Sequence, residues 1–320
     1  MRNIFAKSLV TAVFIAVSQM CCPVFVSGLT LEETLEFFSN TEPMYNEITG
    51  EDHPGVDICI FWKKAGIKPT PAYPGVAEYL FRYDLAEDKE KILFHPEIVI
   101  EDEGEIRILR VGALLQSDYQ FLLFKREGDD WFLFDHIDLY SQKYKEPEIR
   151  FLDDGLFYID QLEMSGTGVS LTLRVFYVID GGKARICLKV PLEGWVDGWG
   201  MMFSRNFEAD IQFYENKLFF DYVMEISGNT YFYAPAHGDT PEQFPLFSFK
   251  RRAIFDWDGS AFQIAETDPV FKWDEIDRLF YWDEKPFYEE FKDGFDSLQN
   301  GDASQKEWYE IFMEKLGLSD

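Results

Sequence analysis

Two stretches of the chain bring together side chains that can do chemistry. In the segment 191–200, Trp195, Asp197 and Trp199 fall at alternate positions. An extended strand points alternate side chains the same way, with Gly194, Gly198 and Gly200 on the opposite side. Two indoles around a carboxylate grip a sugar ring by stacking plus a hydrogen bond. The competing reading is a glycine-rich loop whose tryptophans plug the end of a β core. The second stretch, 228–245, carries Tyr231, Tyr233, His237 and Asp239 in a polar, aromatic connection that is long for a hairpin.

Catalytic patterns are missing. The histidines His53, His95, His136 and His237 have neither zinc-ligand spacing nor an H-E-x-x-H arrangement. There is no G-x-S-x-G elbow. Ser165-Gly166-Thr167-Gly168 lacks the later glycine of a dinucleotide loop and the lysine of a phosphate loop, and reads as a turn before a strand. Counting Asp256 as the first position of a calcium loop puts Ala261 where glycine is required and Thr267 where the bidentate glutamate is required. The acidic turns Glu101-Asp102-Glu103 and Asp153-Asp154 read as solvated hairpin turns. No catalytic residue, metal ligand or cofactor is therefore assigned. Paired carboxylates of a glycosidase are not excluded, because 58 acidic residues offer too many pairs to select one.

Composition narrows the class. With 47% hydrophobic residues the chain can bury a core, unlike a disordered acidic segment. A net charge of −28 opposes unaided nucleic-acid binding and polybasic attachment to membranes. At the N-terminus, Arg2 and Lys7 precede an apolar run from Leu9 to Val17, and Val26-Ser27-Gly28 presents small residues for cleavage after Gly28. Residues 1–28 thus read as a signal peptide of an exported chain, periplasmic, secreted or on the outer surface. The rival is an uncleaved N-terminal anchor, since the uncharged run is long enough to span a bilayer. Once the signal is removed, no segment spans a membrane. Cys59 and Cys187 survive cleavage, each among apolar residues of strand type. Two readings stay open for them: a disulfide permitted by export, or two buried thiols.

The elements that must position these side chains read as antiparallel hairpins. Turn glycines at 104, 128, 155 and 181 lie 24, 27 and 26 residues apart, which leaves no room for crossover helices. Asp258-Gly259 predicts a two-residue turn pairing Phe255 with Phe262 and Ala253 with Ile264. Gly181-Gly182 predicts a turn pairing Tyr177 with Ile186 and Val175 with Leu188. At Glu215-Asn216 a two-residue turn would set Asp210 against Asp221, so a three-residue loop placing Phe213 opposite Phe219 is expected. Capping boxes at Thr30-Leu31-Glu32-Glu33 and Ser304-Gln305-Lys306-Glu307 predict terminal helices, the second ending at Gly317. A further helix is expected over 286–298, with Phe287, Phe291, Phe295 and Leu298 on one side.

The expected architecture is mainly β. Residues 29–267 form an antiparallel hairpin meander with a short leading helix, as a sandwich, an open barrel or a propeller-like ring, and 268–320 form a helical appendage packed on it. The expected function is non-catalytic binding or envelope structure through aromatic-bearing loops, with a glycan or protein partner. The alternatives are an extracytoplasmic glycoside-type hydrolase and a calcium-dependent surface or adhesion protein.

Overall fold

The computed structural model describes residues 28–46, 51–56, 58–66, 94–113, 118–140, 147–153, 155–166, 168–197, 202–229, 243–267 and 284–318. The N-terminal signal lies outside them except for Gly28.

The fold is mainly β and antiparallel throughout. Helix α1 (Leu31–Ser39) opens on the expected capping box, Thr30 with Glu33. A small hairpin of β1 (Glu42–Asn46) and β2 (Glu51–Gly55) leads into α2 (Ile58–Ala65). A four-stranded meander follows: β3 (Phe94–Glu103), β4 (Ile106–Ala113), β5 (Asp118–Glu127) and β6 (Asp130–Tyr140). An eight-stranded meander takes over, from β7 (Glu148–Asp153), β8 (Leu156–Gly166), β9 (Val169–Asp180) and β10 (Lys183–Val196) to β11 (Phe203–Tyr214), β12 (Lys217–Asn229), β13 (Gln243–Trp257) and β14 (Phe262–Thr267). Helices α3 (Glu284–Glu290), α4 (Lys292–Ser297) and α5 (Ala303–Leu316) close the chain.

Local expectations hold at four turns. Gly104, Gly128, Gly155 and Gly181 all sit at positive φ in tight hairpin connections, a conformation glycine enters without penalty. Elsewhere the structure corrects the reading. Ile58-Cys59-Ile60 is helix rather than strand; Phe61, Trp62 and Ala65 are buried at the spacing of one helix face. The Gly181-Gly182 hairpin pairs Tyr177 with Ile186 as expected, but a bulge at Cys187 then sets Leu188 opposite Phe176 rather than Val175. The 258–261 connection has four residues, because the Asp258 carboxylate accepts from Ser260 N, Ala261 N and Ser260 Oγ. Trp257 therefore faces Phe262, and Phe255 faces Ile264. The last helix is capped by Asp302 with Gln305, two residues before the expected box. The 286–298 helix is broken at Phe291 into α3 and α4.

Alternation along the strands divides the core. Phe157, Ile159, Val175 and Tyr177 of β8 and β9 pack against Ile108, Phe121, Leu123 and Ile137, so the four-stranded sheet stacks on β7–β9. The other face of that small sheet, with Leu109, Leu122 and Phe124, lies under Phe38 of α1 and Phe61 and Trp62 of α2. Over β11–β13 the covering layer is helical. Phe203, Phe207, Tyr222 and Met224 join Phe287, Phe295, Trp308 and Phe312 in one cluster. Glu284 ties that layer down: it accepts from Met202 N and from Lys315 Nζ, while Trp308 Nε1 donates to Met202 O.

Between these halves the large sheet parts. β10 pairs with β11 only through Glu193–Val196 with Arg205–Glu208. The far hairpin folds back, so that Phe262 of β14 packs 5.3 Å from Phe176 of β9, and Arg185 Nη2 donates to Ser260 O. Five flat strand spacings would separate β9 from β14 by ~24 Å.

Candidate functional site: the open face of the large sheet

Residues directly opposite in antiparallel strands share a face. Following the register from β8 to β13 gives one continuous row: Ser165, Ser170, Trp195, Asn206, Glu225 and Ser248. The next row on the same face runs through Thr172, Glu193, Glu208, Val223 and Lys250, and the one after it through Asp210, Asp221 and Arg252. The alternate residues of β11–β13, including Phe207, Met224 and Phe249, point the other way, toward the C-terminal helices. One face is thus roofed by helices and the other meets water.

Trp195 lies on this face with 42% of its surface exposed, and Tyr214 is a second exposed aromatic residue of the same face at the far end of β11. Its neighbours in register are Ser170 and Asn206. Glu193, two residues earlier in β10, accepts from Thr172 Oγ1 at 3.2 Å. Beside this row the surface dips into an open cavity of about 350 Å³, lined by Glu208, Asp210, Asp221, Tyr222, Val223 and Lys250 among others. From Asn206 to Asp210 along β11 is ~13 Å, longer than a single sugar ring needs. Arg252 forks onto Asp221 at 2.7 and 2.8 Å, and Gln212 Nε2 donates to Asp210 at 2.8 Å.

Toward β7–β9 the face closes. Asp160 is buried and bound by both guanidinium arms of Arg174 at 2.7 Å. Arg174 in turn lies 3.9 Å over the Tyr158 ring. Burial pushes the Tyr158 hydroxyl above its ordinary value, and the Asp160 charge adds to this, outweighing the opposing pull of Arg174. This cluster is sealed into the fold, whereas the Trp195 row is accessible.

Of the residues singled out in the sequence, Trp195 lies in β10 and Asp197 just beyond it, where Asp197 N donates to Gly168 O at 2.8 Å. Trp199, Tyr231, Tyr233 and His237 lie outside the described residues. Cys187 is half-buried with a free thiol directed at Phe176 O, 3.4 Å away; the Cys59 side chain lies outside the described residues. Asn206, Glu208, Asp210, Asp221 and Lys250 were missed. The signal for them was present in β11, where Asn206, Glu208, Asp210 and Gln212 alternate with Phe207, Ala209, Ile211 and Phe213. Among the described residues no group of three or more His, Cys, Asp or Glu is placed to hold a metal ion. No helix among them is long and apolar enough to cross a membrane.

No family model matches this chain, and no curated protein or solved structure shows significant similarity to it.

Proposed function

We propose that this is an exported, non-catalytic binding protein that receives a carbohydrate on the open face of its large sheet, with Trp195 as the stacking platform. The observation that carries the reading is the exposed indole at the centre of a row of otherwise polar residues spanning six strands. A pyranose presents an apolar face to an indole and hydroxyls at its rim. Asn206, Glu193 and Glu208 surround Trp195 with amide and carboxylate partners for those hydroxyls. The cavity at Glu208 and Asp210 extends the surface for an oligomer. Carboxylates outnumber cations on this face, which favours neutral or amino sugars over acidic ones.

Export is supported by the N-terminal signal pattern and by its junction with the fold. Leu29, the residue after the expected cleavage point, is buried, and its carbonyl accepts from Leu133 N. Sequencing of the mature N-terminus should begin at Leu29; a cytosolic chain starting at Met1 would contradict export.

The binding test is retention on a panel of neutral, amino and acidic polysaccharides. Wild-type protein should be retained by a neutral or amino glycan, and Trp195→Ala should weaken retention about tenfold, or about 1.4 kcal/mol. Retention by no glycan sinks the reading. The opposed pair Asp210 and Asp221 favours a second reading, the glycoside-type hydrolase. Cleavage of a bound glycan, abolished by Asp210→Asn, would establish that instead. Against it, Arg252 occupies both oxygens of Asp221.

A further inference from the structure

The four-stranded sheet is covered on both faces, and one short stretch of β6 reaches both covers. On the face beneath the helices, Trp62 Nε1 donates to Gln120 Oε1 at 3.0 Å. Gln120 Nε2 donates to Asp138 Oδ1 at 2.9 Å. Asp138 Oδ2 lies 3.5 Å from His136 Nε2. The chain has a direction set by chemistry. An indole N–H only donates, so it fixes the Gln120 amide with its oxygen toward α2. The amide nitrogen then needs an acceptor, which an ionised Asp138 supplies. On the opposite face the adjacent residue, Asp135, accepts from Ala184 N of β10 at 2.7 Å. His136 therefore sits between two carboxylates, each attached to a different cover.

We infer that His136 is a proton-operated clasp: its imidazolium holds Asp138 in place and, through Asp138 and Gln120, locks the small sheet to helix α2, while its charge also acts on Asp135, which meets strand β10 on the opposite face. The inference is independent of the carbohydrate reading.

The surroundings are consistent with this. Of the charged residues on the helices over this face, Glu32, Glu33 and Glu36 of α1 and Lys63 and Lys64 of α2 are exposed to solvent. From β10, Lys183, Arg185 and Lys189 are also exposed, and Lys183 acts on Asp135 rather than on His136. On β8, Asp160 is taken by Arg174 and Glu163 by Gln161. On β5, Lys125, Arg126 and Glu127 are exposed at the far turn, and the Asp118 side chain lies outside the described residues.

Burial alone would lower the imidazole pKa; the hydrogen bond to Asp138 and the charges of Asp138 and Asp135 outweigh it and hold it above 6.5. The folded chain thus keeps this proton to a higher pH than the unfolded chain does. The clasp contributes fully below 6.5 and is lost as pH rises through the higher folded value. Asp135 acts with the same sign lower on the scale. Desolvation raises it above 3.8, partly offset by the Ala184 N–H, so its ionisation also weakens the fold as pH rises.

The test is NMR of the full chain, following the His136 ring and the Trp62 indole N–H, with His136→Gln assigning the ring signal. The wild-type ring should titrate above 6.5, and Asp138→Asn should move its midpoint down. Between 6.5 and the folded midpoint, protection of the Trp62 N–H, corrected for intrinsic exchange, should fall as pH rises, with about tenfold per pH unit as the upper bound set by a single linked proton. In His136→Gln, which keeps a neutral hydrogen-bonding side chain, that slope should vanish. A ring midpoint at or below 6.5, or an unchanged slope in His136→Gln, would overturn the clasp. Circular dichroism confirms that each variant is folded before it is scored.

Discussion

Asp221 stands directly opposite Asp210 across the β11–β12 hairpin, and Arg252, opposite Asp221 on β13, holds both of its carboxylate oxygens. Like charges in opposed positions repel, which is why a two-strand view of this hairpin favours a looser loop. The third strand reverses the balance. It lets Glu215 and Asn216 close a two-residue turn at φ 49° and 58°, with Phe213 facing Leu218 rather than Phe219.

Removing the guanidinium should therefore cost more than an ordinary exposed ion pair. Arg252→Ala is expected to lower Tm, with the loss larger at low salt than at high salt, because the residual term is a screened repulsion. Adding Asp210→Asn should recover most of it. Thermal melts of the two single variants and the double variant decide the matter; equal melting of Arg252→Ala and wild type would show that the opposed carboxylates do not interact.

This hairpin also marks what a single sequence reveals here. Turn glycines and period-two alternation are local signals, so the meander, its helical ends and most hairpin positions were legible in them. Registers at 215–216 and 258–261 were not. One depends on a cation on the next strand, and the other on a side chain that replaces backbone partners in the loop. The same limit hid the binding face. Trp195 was visible as an unusual residue, but its row was not, because Ser165, Asn206, Glu225 and Ser248 become neighbours only through five strand pairings. The apolar run at 58–62 was too short to separate strand from helix until Trp62 had a partner in Gln120.

Phe203 should be among the most sensitive positions in the core. It is fully buried, and its ring contacts Phe287, Phe295, Trp308 and Phe312, so one side chain at the start of β11 holds all three C-terminal helices. Phe203→Ala should cost about 3–5 kcal/mol, the usual range for a large aromatic truncation. The milder Phe203→Leu should stay folded while exposing the region after residue 284 to protease first. Urea unfolding and limited proteolysis read both, and uniform protease resistance in Phe203→Leu would argue against this anchoring role.

Cys187 should behave as a structural thiol. Burial pushes it up to about 12, far above the pH at which thiols are usually alkylated. Iodoacetamide at pH 8 should leave it unmodified in the native protein and label it once urea unfolds the chain. Rapid labelling of the native protein, located by peptide mass spectrometry, would contradict the packing at the Cys187 bulge.

The Asp258 turn provides the acid-side counterpart to the His136 clasp. Backbone N–H groups of Ala261 and Ser260 and the Ser260 hydroxyl hold the Asp258 carboxyl below its ordinary value of 3.8. A lowered acid stabilises the fold when ionised, so its contribution is complete above 3.8 and disappears as pH falls through the lower folded value. The direction is opposite to that of His136 and Asp135, and the two effects act at different pH. Asp258→Ala should lower Tm at pH 7 and lose part of the acid-side decline seen in wild type, while Asp258→Asn, which keeps an acceptor oxygen, should lose less at pH 7 and show the same reduced decline. Because Ser260 O also receives Arg185 Nη2, the alanine variant should loosen the contact between the β13–β14 and β9–β10 hairpins. Faster amide exchange at Ala184 and Ile186 would report that loosening; unchanged exchange there would mean the turn holds its shape without the carboxylate.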